Sequence, residues 1–353
     1  MSTWDRGTHR HGAAPPTRPA RALPGYPGPR HWHQVPVTDQ HYVDTGTGDP
    51  VLFLHGNPSW SYIWRSLLGT LSPDFRCIAP DLAGLGLSPR SGVPQGTGSP
   101  GAQERVDRIE RHIACLDHLF HHLTGSQGAP ARRWTLVVHD WGGPIGIAWA
   151  LRHPGVVARL VVLNSVAFPW PAGYRLPAYL RWIRDSAPVA ALAQATNVFP
   201  RAAVRLGVVR RLGAAERLAY LLPFADAQNR RTVVEFIRCI PQGDDDPAWR
   251  LLEPAEAGPA EAGPAEAGPA EAGPTDAGPA DIGSGLVGSG LVGLPMFIGW
   301  GMRDPVFTPP VLDEWTRRFP QARVHRYRNA GHFVMEDAAG ELDRHVRDFL
   351  LRA

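Results

Sequence analysis

The chain contains no lysine: its 36 basic side chains other than histidine are all arginine. That absence removes Schiff-base chemistry, the lysine of a Walker-type phosphate loop and any lysine general base. Cysteine is scarce as well. Cys77, Cys115 and Cys239 lie in apolar or helical contexts without paired spacing, which argues for buried thiols in a reducing compartment and against a zinc site or a disulfide framework. No apolar run approaches the ~20 residues needed to span a bilayer. The stretch Met1 to Arg30, rich in Pro, Arg, His and Gly, lacks the apolar core of a signal peptide or anchor. The expectation is a soluble cytoplasmic protein with no membrane span. The arginines, as in Arg108 and Arg111 or Arg210 and Arg211, are scattered along helical segments without interleaved aromatics. The formal charge of +3 therefore reads as solvated surface, and no nucleic-acid partner is expected.

What the chain does have is strands alternating with helices. Pro50 to Leu54, Cys77 to Asp81, Leu136 to Asp140, Leu160 to Asn164, Pro295 to Trp300 and Val324 to Tyr327 are strand-like apolar runs, and Trp32 to Pro36 with Gln40 to Val43 suggests an opening hairpin. Ser61 to Leu71, Glu104 to Leu123 and Gly340 to Leu351 carry helical spacing. The alternation predicts an α/β class with a mostly parallel sheet covered by helices on both faces. Five segments are expected: a disordered leader over 1–30, a first core part over 31–166, a helical cap over 167–245, a linker over 246–293 and a second core part over 294–353. The cap is dense in Pro and aromatics, among them Trp170, Tyr174, Tyr179, Trp182 and Phe199. It should overhang the C-terminal edge of the sheet, with another helical layer elsewhere as the alternative. In the linker, Ala-Glu-Ala-Gly-Pro repeats and two Gly-Ser-Gly-Leu-Val units predict a mobile surface loop, since proline at every fifth position forbids a continuous helix.

One stretch organises the rest. Leu136-Val137-Val138-His139-Asp140-Trp141-Gly142-Gly143 reads as a strand, a sharp turn and the start of a helix. Such an elbow pushes one side chain out above the sheet, and small residues after it let the helix pass close beneath. The exposed side chain would be Asp140, a carboxylate that needs no base to attack carbon. A simple helix cap is the alternative reading of Asp before Gly-Gly. Further along, Asp304 follows the strand Pro295 to Trp300, and His332 follows the last strand. Nucleophile, acid and histidine thus occur in the order Asp140, Asp304, His332, the chain order of an α/β-hydrolase fold.

The motifs His55-Gly56-Asn57-Pro58, His139-Asp140-Trp141-Gly142, Trp300-Gly301-Met302-Arg303-Asp304 and Gly331-His332-Phe333 resemble the haloalkane dehalogenase family of α/β-hydrolases, from about Trp32 to the C-terminus apart from the repeats. The resemblance is to the third subfamily, which also includes the β-lactone decarboxylases of long-chain olefin synthesis and places its triad acid after the strand that follows the cap. The neighbouring position used elsewhere in the family is Asn164-Ser165-Val166 and holds no acid, which leaves Asp304 as the candidate. The resemblance implies that Asp140 displaces halide from an alkyl carbon, that the Asn57 amide and Trp141 indole N–H hold the halide, and that an alkyl ester forms. His332, oriented by Asp304, would then activate water to hydrolyse it, with the backbone N–H groups of Asn57 and Trp141 holding the oxyanion. The same residues suit decarboxylation of a cis-3-alkyl-4-acyloxetan-2-one, a β-lactone, and the motifs do not separate the two. An epoxide hydrolase using Tyr174, Tyr179 or Tyr220 and a non-catalytic binding protein on the same fold are weaker alternatives. The expected partner is a small hydrophobic substrate, with no cofactor and no metal, and the sequence carries no sign of oligomeric state. Phe224 to Gln228 departs from the more aromatic run usual at this place in the subfamily, which bears on substrate size.

Overall fold

The computed structural model describes residues 23–90, 101–125, 133–253, 291 and 293–352. Eight strands, β1 (Trp32–Gln34), β2 (His41–Thr45), β3 (Pro50–Leu54), β4 (Arg76–Pro80), β5 (Trp134–Asp140), β6 (Val157–Ser165), β7 (Met296–Gly301) and β8 (Arg323–Tyr327), form one sheet in the order β1-β2-β4-β3-β5-β6-β7-β8. β2 runs antiparallel to β1 and β4, and every other pairing is parallel. Helices α1 (Arg65–Leu71), α2 (Ala102–Thr124) and α3 (Gly142–Arg152) connect the early strands; α9 (Pro309–Arg318), α10 (Val334–Asp337) and α11 (Ala339–Arg352) follow β7 and β8.

The apolar strand runs arise because both faces of the sheet are covered. Alternate side chains go to opposite sides. Leu52, Leu54, Leu136, Val138, Leu160 and Val162 join one apolar cluster with α2 and α3. Val51, Phe53, Val137, Val161, Leu163 and Phe297 join a second with α1 and α11. The helical spacing seen in α2 is the spacing of its buried face, Ile109, Ile113, Leu116 and Leu119.

Between β6 and β7 the chain is helical, with α4 (Ala178–Asp185), α5 (Ala187–Ala195), α6 (Val198–Leu206), α7 (Ala214–Leu221) and α8 (Ala227–Arg238). Two bonds tie this layer over the loop after β3: the Asn57 side-chain amide donates to Val233 O at 3.0 Å, and the Trp60 indole donates to Ala219 O at 3.2 Å. A charged clamp completes the attachment. The buried Glu336 carboxylate on α10 accepts from Arg65 on α1, from Arg210 before α7 and from the Tyr220 hydroxyl on α7. A buried carboxylate is stable only with such partners, and removing one leaves it uncompensated.

Two boundaries differ from the expected ones. The leader 1–30 was expected to be disordered, but its end packs on the core: Tyr26 is buried, shares a hydrogen bond of 2.5 Å with Ser61 and sits edge-on to Trp60. Its aromatic ring has apolar area to bury that the surrounding Pro and Gly lack. The linker 246–293 begins with a 3-10 helix at Pro247–Leu252, capped by Asp246, which buries Trp249 and Leu252 against the core. The repeats, and with them the expected mobile loop, lie outside the described residues.

Candidate active site

β5 ends at Asp140 with φ of +49°, and its pairing with β6 shifts register between His139 and Asp140. A left-handed conformation is rare away from glycine and stores strain that the surroundings must hold. They hold it by close approach. A Cβ on Gly142 would fall 2.0 Å from Leu54 O, and one on Gly56 would fall 2.2 Å from Asp140 Oδ1. The two glycines thus let α3 and the loop after β3 close around the carboxylate.

Asp140 is buried, and its Oδ1 accepts from the Asn57 backbone N–H at 2.7 Å; the Trp141 backbone N–H also bonds the carboxylate. These are the two backbone N–H groups that the resemblance implied for an oxyanion, and here both point at the carboxylate. Oδ2 is the other oxygen and lies 3.7 Å from His332 Nε2. On the far side of the ring, His332 Nδ1 donates to Asp304 Oδ2 at 2.9 Å, which fixes the tautomer and leaves the Nε2 lone pair facing Asp140. Burial pushes the Asp140 carboxyl above the usual carboxylate range, against the pull of His332 and the two N–H donors. Burial also pushes His332 down, but the Asp304 charge and hydrogen bond, with Asp140 beyond, override it and raise the imidazole above its ordinary value.

The five residues singled out from sequence, Asp140, His332, Asp304, Asn57 and Trp141, meet at one end of the sheet. Three others that sequence reasoning missed hold them there. Asn164 at the end of β6, with φ of +38°, donates to Asp304 Oδ2 at 2.8 Å and brackets Gly301, accepting its N–H at 2.8 Å. It occupies the position noted for lacking an acid, and its signal was a polar residue closing an apolar strand. His139 donates from Nε2 to His332 O at 3.0 Å, and its ring lies 4.7 Å from that of His332. Burial holds its pKa well down, so it stays neutral. His55 donates from Nδ1 to Gly56 O at 2.9 Å and accepts the Leu82 N–H at 2.9 Å, which pins the loop carrying Asn57.

Above Asp140 opens a cavity of about 560 Å³. Its lining side chains are apolar except Asn57, Asp140, Trp141, Tyr179 and His332, since the indole N–H groups of Trp170 and Trp249 are spent on Pro241 O and Gly243 O. The Trp141 indole N–H makes no hydrogen bond among the described residues, and Asn57 keeps a second amide hydrogen beside the one given to Val233. Of the three tyrosines considered for an epoxide, only Tyr179 lines the cavity; the Tyr220 hydroxyl is taken by Glu336 and Tyr174 stacks on Trp170. Among the described residues no cluster of His, Cys, Asp or Glu is arranged to hold a metal.

An α/β-hydrolase fold family matches residues 49–200. The chain is 36% identical over 334 residues, 93% of its own length and 98% of the relative's, to a cis-3-alkyl-4-alkyloxetan-2-one decarboxylase of Xanthomonas campestris. It is 30% identical over 315 residues, 89% of its length and 92% of the relative's, to haloalkane dehalogenase 2 of Mycobacterium bovis. The crystal structure of the haloalkane dehalogenase DbeA from Bradyrhizobium elkani superposes with a TM-score of 0.68 at 23% identity, covering 91% of this chain and 97% of that one.

Proposed function

The chain belongs to the haloalkane dehalogenase-like family of α/β-hydrolases, and we propose that within it the protein opens and decarboxylates a long-chain cis-β-lactone to an alkene. The observation that carries this reading is the cavity, whose apolar walls reach from Asp140 to the helices of the cap. A lactone bearing two alkyl chains offers apolar surface for such walls and one polar group for the few donors at their base. The near-full-length likeness to a decarboxylase supports the same choice.

Asp140 Oδ2 attacks the ring carbon that bears the lactone oxygen. The C–O bond breaks with inversion, and the pair passes to the departing carboxylate, which the Asn57 amide and Trp141 indole N–H receive. The resulting ester places the Asp140 oxygen anti to the new carboxylate. Loss of carbon dioxide sends the C–C bonding pair into the double bond and expels Asp140 as a free carboxylate. Two groups leave from opposite sides, so the cis lactone gives the cis alkene. No water is consumed and no proton is moved. The backbone donors of Asn57 and Trp141 hold Oδ1 throughout.

The Trp141 indole N–H, which makes no hydrogen bond among the described residues and belongs to a side chain lining the same cavity as Asp140, favours displacement of halide as a second reading. There His332 has a task it lacks in the lactone cycle: with Asp304 fixing its tautomer, Nε2 takes a proton from water attacking the ester carbonyl. Turnover in ¹⁸O-labelled water tests the proposal. Alkene formation from a dialkyl cis-β-lactone with no ¹⁸O in Asp140 supports it; halide release from brominated alkanes with ¹⁸O entering Asp140, and no alkene from the lactone, overturns it.

A further inference from the structure

Eight of the ten large apolar side chains that stand exposed among the described residues belong to one segment, from Tyr179 to Leu218 in the cap. They share helix faces with arginine. On α6, Val198, Arg201, Arg205 and Leu206 recur at helical spacing and are all exposed; on α4, Tyr179 and Trp182 stand one turn apart, and Arg181 next to Trp182 is exposed as well. Between residues 171 and 221 there are eight arginines and two acidic residues, a formal +6 in a chain that totals +3. Both acids are spent, Asp185 on Arg184 and Glu216 on Arg65 and Arg210. Arg175, Arg181, Arg201, Arg205 and Arg211 are exposed and make no side-chain hydrogen bond or ion pair among the described residues.

The cavity opens on this same surface. Tyr179, Val198 and Leu206 are 43, 58 and 74% exposed and also line the cavity, so they form its rim. Trp182, 65% exposed, stands one turn from Tyr179 on α4. An apolar face studded with unpaired arginines suits a bilayer interface, where apolar side chains enter the acyl boundary and guanidinium groups meet phosphate. Exposed apolar surface of this kind on a soluble face marks an interaction site. From these observations we propose that the cap face of α4 to α7 docks on an anionic lipid bilayer, with the cavity mouth turned to the acyl chains. The purpose, passage of a long apolar substrate or product without crossing water, rests on the function proposed above. The docking itself rests only on exposure and charge.

Flotation of the full chain with vesicles of phosphatidylglycerol and phosphatidylcholine tests the proposal without any turnover, so its failure and that of the lactone reading are separate results. The chain should float with these vesicles, should stay behind with phosphatidylcholine alone, and should be released at about 1 M salt, where the Debye length falls to ~3 Å. Arg181→Gln with Arg205→Gln should weaken partitioning by about fivefold for each arginine. Brominated lipids should quench a tryptophan signal that Trp182→Phe removes. Trp182→Gln with Leu192→Gln, neither of which touches the site, should lose vesicle binding yet keep turnover of a short soluble substrate. No binding to anionic vesicles overturns the proposal. So does concentration-dependent self-association that the same variants abolish in the absence of vesicle binding, which would make the face an interface between copies. Vesicle binding only after deletion of residues 255–281, whose acidic residues lie outside the described segments, overturns it as well.

Discussion

On the core side of the cavity each group given a part in the proposed chemistry is held by short polar bonds: Asp140 by Asn57 N–H at 2.7 Å, His332 by Asp304 at 2.9 Å, and Asp304 in turn by Asn164 and by the Val306 N–H at 2.7 Å. On the cap side the walls include Leu180 and Ile183, which are buried, Phe199, which is half-buried, and Leu206, which is open to solvent, all apolar side chains held by packing. The first region fixes where charge develops and is intolerant of small displacement. The second fixes what fits, and apolar packing grades among substrates gently, by about 1–3 kcal/mol per methylene. Family likeness over the whole chain therefore speaks to the chemistry more firmly than to the substrate.

The largest effect expected from breaking the core side is loss of the nucleophile. Asp140→Asn should lower alkene formation and halide release alike by about 10⁴-fold or more, because no other carboxylate can reach the reacting carbon. Full activity in Asp140→Asn would remove the ester from both cycles. His332→Ala separates the cycles. With halide substrates it should arrest the enzyme as a stable ester on Asp140, visible as a mass adduct, with turnover down by about 10³-fold. With a lactone it should leave most of the alkene yield, since the ester there breaks without water.

The pH profile sharpens the same distinction. Both cycles need ionised Asp140, whose pKa burial raises, so both fail as pH drops through that value. Halide turnover also needs neutral His332, whose pKa lies above the ordinary 6.5 because Asp304 and Asp140 outweigh its burial. Halide turnover should therefore carry a second acid limb, that of His332, which alkene formation lacks, so lowering the pH through the His332 value stalls the halide cycle at the ester. Superimposable profiles for the two substrates would show that His332 serves both as a base.

How much of this was legible in the sequence follows from where each constraint is written. The strands were readable because both faces of the sheet are buried, and the meeting of Asp140, Asp304 and His332 was readable because the three follow strands in fixed order. Asn164 and His139 were not, because their roles depend on which strands lie side by side. β6 pairs with β7, which sets Asn164 against Gly301 and Asp304, and nothing local to Asn164 announces that pairing. Tyr26 was missed for a related reason: its partners Ser61 and Trp60 are distant in sequence, while its neighbours have the composition of a tail. The cavity was foreseen only as an abundance of aromatics, yet several of those, Tyr220 and Phe224 among them, are buried away from it.

Asn164→Leu tests the unforeseen support. It removes the donor to Asp304 Oδ2 and the bracket on Gly301, and loss of a buried hydrogen bond to a charge costs about 1.5–3 kcal/mol. Halide turnover should fall by about 10- to 100-fold with little change in KM, and the acid limb of its pH profile should move as Asp304 becomes less firmly placed. A purely structural role would lower thermal stability and leave that limb where it was.

The smallest effects should come from the cap. Ala202 and Ala203 on α6 line the cavity and both are half-buried, so a larger side chain there takes up cavity space while leaving Asp140 and its donors unchanged. Ala202→Leu should raise KM for the longest lactones by about tenfold for each methylene or two that no longer fits, while kcat for short ones is unchanged. Measuring kcat and KM across a series of chain lengths decides the matter. A uniform fall in kcat at every length would mean that α6 helps to position the reacting carbon, and the division between a core that performs the chemistry and a cap that selects the substrate would have to be redrawn at that helix.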